Sequence, residues 1–119
     1  NSKFKSDLKT RCYKFSLSMI TFTDILPNKR TAWIIADQLL RSSMSIGANL
    51  IEGSAASSRL EYKKYYEIAL RSANETKYWL TLLMDSGLAD QNKTEILLTE
   101  ARELANMLAT GVMRLKGKI

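Results

Sequence analysis

The sequence predicts an all-α protein, an antiparallel up-and-down four-helix bundle, and three observations lead to that fold class. Four long stretches place apolar residues three and four apart, the spacing that lines one face of a helix with 3.6 residues per turn. The 119 residues include 5 glycines and 1 proline, so few breakers interrupt those stretches. The segments between them are about three to five residues long, short enough that consecutive helices must be antiparallel neighbours. The length suits one domain, 1–119, better than two.

The first helix is expected over about 3–26. Phe4, Leu8, Cys12, Phe15, Met19, Phe22 and Leu26 form its stripe, and Pro27 ends it because the residue before a proline is pushed out of the helical region. The second, about 29–53, takes Asn28 as its expected N-cap. Its stripe is Ala32, Ile35, Ala36, Leu39, Ser43, Ile46 and Leu50. Ser42, Ser43, Ser45, Gly47 and Ala48 make one side of it unusually small. A mid-helix glycine costs about 1 kcal/mol against alanine, and close packing on a neighbour is the reason to expect one at position 47. Gly53 is expected to end this helix in the left-handed conformation.

Ser58-Arg59-Leu60-Glu61 has the form of a capping box and opens the third helix, about 59–86. Tyr62, Tyr66, Ala69, Ala73, Thr76, Leu80 and Leu83 form its stripe, widened by Ile68 and Met84. Gly87-Leu88 predicts a Schellman ending, with Leu88 folded back on Leu83. Asp90 caps the fourth helix, about 91–116. Leu97, Ala101, Leu104, Leu108, Val112 and Leu115 line one face of it, and it is expected to fray near Gly117.

Composition narrows the function classes. Hydrophobic residues make up 45% and charged residues 25%, as in globular domains. No apolar run approaches the length of a membrane span. The first residues contain no apolar signal region, and the lone Cys12 fits a reducing cytoplasm. The chain has no histidine, hence neither the commonest general base nor the commonest metal ligand. Glu52, Glu61, Glu67 and Glu75 lack the Glu-x-x-His pairs of a di-iron bundle, and Gly47 and Gly53 belong to no phosphate-binding loop. Cys12 sits on an apolar stripe and reads as core. The expectation is a protein that is not an enzyme and carries no cofactor or metal.

The 18 basic and 12 acidic residues leave a net charge of +6. In an up-and-down bundle the start of helix 1, the turn between helices 2 and 3 and the end of helix 4 share a pole. Lys3, Lys5, Lys9, Arg11, Arg59, Lys63, Lys64, Arg114, Lys116 and Lys118 fall there against Asp7, Glu52 and Glu61, a surplus of seven that exceeds the net charge of the whole chain. Such a pole is either a polyanion site for RNA or DNA or simply a solvated end. Beside it, Tyr62-Lys63-Lys64-Tyr65-Tyr66 interleaves rings with ammonium groups, as single-strand binders do. Tyr62 and Tyr66 also carry core spacing.

Gln38, Arg41, Ser42, Ser45, Asn49 and Glu52 make a polar line along helix 2 whose residue types suit hydrogen bonds to another helix. Folding helix 3 back on it puts Arg41 opposite Glu75 and predicts an ion pair, within one chain or between subunits. Trp33, Ile34 and Trp79 lie off or beside the stripes, at an oligomer interface or on a surface for a protein partner.

The run Gln38-Leu39-Leu40-Arg41-Ser42-Ser43-Met44-Ser45-Ile46-Gly47-Ala48-Asn49-Leu50-Ile51-Glu52-Gly53 resembles the Q-L-x-R-A-x-x-S-I-x-A-N-I-A-E-G signature of the bacterial four-helix bundle proteins, also called 23S rRNA intervening-sequence proteins. Pro27, Ser58, Tyr65-Tyr66, Ala69, Ser72-Ala73 and Glu75 resemble the flanking parts of that pattern. The chain departs from it at Leu40, Ser42, Ser43 and Arg71. The resemblance implies a homo-oligomer, because relatives of the family include a basic, barrel-shaped homopentamer that serves diversity-generating retroelements and binds a reverse transcriptase and nucleic acid. It implies RNA or DNA as a ligand, or else an adaptor role toward a protein such as a reverse transcriptase. The residues expected at helix or subunit contacts are Arg41, Ser45, Asn49, Glu52, Glu75, Trp33 and Trp79.

Overall fold

The apolar stripes can leave water only by facing one another, and four of them close a ring. In the computed structural model, which describes the backbone of residues 2–118 and the side chains of residues 7–118, α1 spans Ser2–Asp24, α2 Arg30–Ser54, α3 Arg59–Ser86 and α4 Gln91–Leu115. Each helix packs on the next, and α4 returns to α1. The result is an all-α, antiparallel up-and-down bundle measuring 45 × 23 × 20 Å. Phe4, Lys3 and Lys5 lie outside the described side chains.

The core takes Leu8, Cys12, Phe15, Met19 and Phe22 from α1, Leu39, Ile46 and Leu50 from α2, Tyr66, Leu80 and Leu83 from α3, and Leu97, Leu104, Leu108 and Val112 from α4. Each large aliphatic side chain buried this way stabilises the fold by about 1.5–3 kcal/mol. Leu26, Ile35 and Leu115 are partly buried against the same cluster.

The ends of the helices differ from expectation for local reasons. The amides of Ile25 and Leu26 bond three residues back rather than four, so α1 finishes at Asp24. A tight turn from the Lys29 N–H to the Pro27 carbonyl (2.8 Å) then consumes Asn28, and Lys29 takes the N-cap position without a side-chain cap bond. Ser58 Oγ accepts from the Glu61 N–H at 3.1 Å, one of the two bonds of a capping box; Glu61 makes no return bond. Asp90 caps α4 through the Lys93 N–H at 2.9 Å.

Two glycines exchange roles. Gly87 has φ 73° and donates to the Met84 carbonyl, but the Leu88 N–H turns to Ser86 Oγ, so its Schellman motif is half formed. The complete motif lies at Gly117, φ 74°, where Gly117 N–H bonds the Arg114 carbonyl and Lys118 N–H bonds that of Met113. Gly53 is not left-handed and lies inside α2. A β-carbon there would stand 3.1 Å from Tyr65 Cβ and 3.2 Å from Tyr62 Cδ1, so it lets α3 approach. Gly47 does the same for α1, with Cys12 Cβ 3.3 Å from the site of a β-carbon.

Candidate nucleic-acid interface

The polar line of α2 resolves into a hydrogen-bonded seam with α3. Asn49 Nδ2 donates to the Ser45 carbonyl (2.8 Å) and to Ser45 Oγ (2.9 Å), and Ser72 Oγ donates to Ser45 Oγ at 2.9 Å. One turn on, the hydroxyls of Ser42 and Thr76 lie 2.9 Å apart in the buried interior, and Thr76 also reaches the Ser72 carbonyl at 2.8 Å. Arg41 pairs with Glu75 within the one chain and is braced by Gln38 Oε1 at 2.8 Å. Trp79 Nε1 donates to Glu75 Oε2 at 2.9 Å.

The Trp79 ring is half-buried against the core and holds a carboxylate of its own helix. Trp33 and Ile34 are exposed, at 56% and 52%. Glu52 is exposed and its carboxylate has no hydrogen bond or ion pair among the described residues, so it takes no part in the seam. Arg71, the bulky departure on α3, points its side chain away from the core.

The basic pole is divided by its carboxylates. Arg11 forks onto Glu100, with Nε to Oε2 at 3.1 Å and Nη2 to Oε1 at 2.5 Å, and Nη2 also reaches Glu103 at 3.1 Å. The Glu100 hydrogen bond raises the guanidinium pKa. Arg11 is therefore the polar clamp between α1 and α4 and is withdrawn from any polyanion face. Lys116 pairs with Glu67 at 3.4 Å. Lys63 and Lys64 border an open hollow of about 460 Å³ shared with Glu61 and Glu67, which offset them.

Lys9 and Arg59 meet on a separate surface. They line one open cleft of about 550 Å³ with Ser54, Ser57, Ser58 and Tyr62, and no acidic residue lines it. Lys9 is half-buried and its ammonium makes no ion pair or hydrogen bond among the described residues; Arg59 Nη2 donates to the Arg114 carbonyl at 3.4 Å. Arg114 and Lys118 are exposed at the same end. Of the three clustered tyrosines only Tyr62 faces this cleft. Tyr66 is buried, edge-on to Tyr62 with centroids 5.4 Å apart, and its hydroxyl pKa is pushed by burial up to about 12.

The serines of the cleft carry no charge or period and stand out only once the turn is folded. Glu67 was readable at the pole, since it follows Lys63 and Lys64 by four and three residues. Glu100 and Glu103 were not, because their partner lies 89 and 92 residues away.

Comparison with known proteins adds the relationship. A family model described as 23S rRNA-intervening sequence protein matches residues 5–110. A crystal structure from Bacteroides thetaiotaomicron, described as a protein with unknown function from the S23 ribosomal protein family, superposes with a TM-score of 0.85. It is 29% identical, and the match covers 92% of this chain and 97% of that one. Nothing among curated proteins matches.

Proposed function

Since this chain belongs to the 23S rRNA-intervening sequence protein family, we propose that it is a non-enzymatic, self-assembling bundle that binds nucleic acid at the pole where α2 turns into α3. The observation that carries the proposal is the carboxylate-free cleft holding Lys9 and Arg59. Net charge alone attracts polyanions without placing them. A pair of cations in a concave surface, with hydroxyl donors and one aromatic ring beside them, can hold a phosphate and stack a base. Lys63, Lys64, Arg114 and Lys118 extend the positive surface around it, and Lys3 and Lys5 extend it in sequence.

Self-assembly is supported by a second surface. Tyr13, Leu17 and Ile20 recur four and three apart on α1 and are 66%, 49% and 44% exposed. On α2, Trp33, Met44 and Ile51 share a flank, opposite the Ser42–Ser45–Asn49 side that meets α3 and on the side where Gly47 meets α1. Together these side chains expose on the order of 600 Å² of largely apolar surface, at the upper end for a monomer. A second copy of the chain is its proposed cover, and a homopentamer is the number the family resemblance implies. The adaptor reading uses the same surface for a different protein. The non-enzymatic part rests on residue types: the chain has no histidine, and burial pushes the Cys12 thiol up to about 12, which keeps it protonated.

A gel-shift titration with single- and double-stranded RNA and DNA tests the binding, expected in low salt and weakened in high salt. Absence of binding to all four in low salt would overturn it. Light scattering tests the assembly. A monomer at every concentration would remove the self-assembly and leave the exposed face to the adaptor reading.

A further inference from the structure

We infer that the Lys9–Arg59 cleft is a seat for a phosphate monoester, the charged end of a nucleic-acid strand or of a free nucleotide, rather than for the diesters within a strand. The inference deepens the proposed nucleic-acid role of the same pole. Charge matching is the first argument. Two cations line the cleft and no carboxylate does. A phosphate monoester carries about −1.5 to −2 at neutral pH, whereas an internal diester carries one negative charge and leaves one of the two cations uncompensated.

Position is the second argument. Lys9 comes from α1 and Arg59 from the first turn of α3, so the fold draws together two groups that no sequence spacing links. Lys9 buries part of its stem and presents its ammonium at the cleft, where no lining carboxylate offsets it. The other lysines of this pole whose side chains are described have either exposure or a nearby carboxylate: Lys116 has Glu67, Lys63 and Lys64 have Glu61 and Glu67, and Lys118 is exposed. Ser57 and Ser58 add hydroxyl donors to the same wall, whereas the Ser54 hydroxyl is spent on the Leu50 carbonyl at 2.9 Å.

Size and lining supply the third. The cleft's volume of about 550 Å³ far exceeds a bare phosphate. It lies within the range of roughly 300–1,000 Å³ typical of small-molecule sites. Gly53, Ala56, Tyr62 and Leu115 complete its lining, and a nucleobase can lie against Tyr62 and Leu115 while the phosphate faces the cations.

The test compares single-stranded RNA decamers of one sequence bearing a 5′-phosphate, a 3′-phosphate or hydroxyls at both ends, by fluorescence anisotropy with the full chain. Adenosine 5′-monophosphate, adenosine and inorganic phosphate are titrated separately by calorimetry. One phosphorylated end is expected to bind about tenfold more tightly than the hydroxyl strand. Lys9→Ala and Arg59→Ala should each erase that difference with the thermal melt unchanged. Lys63→Ala with Lys64→Ala should weaken all three strands alike. Equal binding of all three strands, or a preference that survives Lys9→Ala and Arg59→Ala, would overturn the inference. If no strand binds but the monophosphate does so in a Lys9-dependent way, the nucleic-acid role of the pole fails and the monoester seat stands as a free-nucleotide site. If neither strands nor the monophosphate bind, both readings fall.

Discussion

At the scale of single residues, the strictest constraint is one the stripes do not show. A β-carbon at Gly111 would lie 2.3 Å from Tyr66 Cε1, and the Tyr66 ring is buried and edge-on to Tyr62. The ring has nowhere to go without moving its neighbour. Gly111→Ala is therefore expected to destabilise the protein by about 1–3 kcal/mol despite alanine's higher helix propensity, measured by urea denaturation. Thr76→Val tests the buried hydroxyl pair. It leaves Ser42 Oγ without its cross-helix partner and should cost about 1–2 kcal/mol. Cys12 and Tyr66 together predict a pH dependence. Both are neutral in the fold, with pKa values raised by burial from ordinary values of 9.0 and 10.0 to about 12. The unfolded chain releases these protons first, so their contribution is fully present below pH 9 and is lost as pH rises toward 12. Cys12→Ala should make that decline shallower in denaturation measured across the window.

At the scale of helices, much was legible because each stripe is a local pattern. Phe15, Met19 and Phe22, or Leu97, Leu104 and Leu108, announce a buried face without reference to any other segment. The Arg41–Glu75 pair was readable too, since a short turn fixes the register of α2 against α3. What failed depends on contacts between distant segments or on turn geometry. Gly53 looks like a helix terminator until Tyr62 and Tyr65 are packed over it. Arg11 looks like part of a basic end until α4 closes on α1 and supplies Glu100 and Glu103. Asn28 is a better N-cap residue than Lys29, yet the Pro27 turn delays the helix. The apolar stripe of α2 belongs to this scale as well. Met44→Glu with Ile51→Glu changes two exposed positions and is expected to preserve the helical circular dichroism while shifting light scattering to a smaller assembly. An unchanged mass would move the interface elsewhere.

At the scale of the whole molecule, the family signature and the charged pole serve different ends of one design. The signature residues Arg41, Ser45, Asn49, Ser72 and Glu75 lock α2 to α3. Beyond that lock the chain turns between Ser54 and Arg59, and the turn builds the wall of the cleft with Ser54, Ser57 and Ser58. The sequence showed that positive charge gathers at this pole. It could not show that Lys116 and Arg11 are already engaged by carboxylates, leaving Lys9 and Arg59 together in a cleft without any. The most direct test is the salt dependence of affinity for end-phosphorylated single-stranded RNA, measured for the wild-type protein and for Lys9→Ala with Arg59→Ala. Each neutralised phosphate contributes about −0.7 to the slope of log affinity against log salt. The double variant loses one such phosphate and should therefore bind more weakly, with a slope shallower by about 0.7. A wild-type protein with no salt dependence, or a variant with the same slope and affinity, would contradict the account.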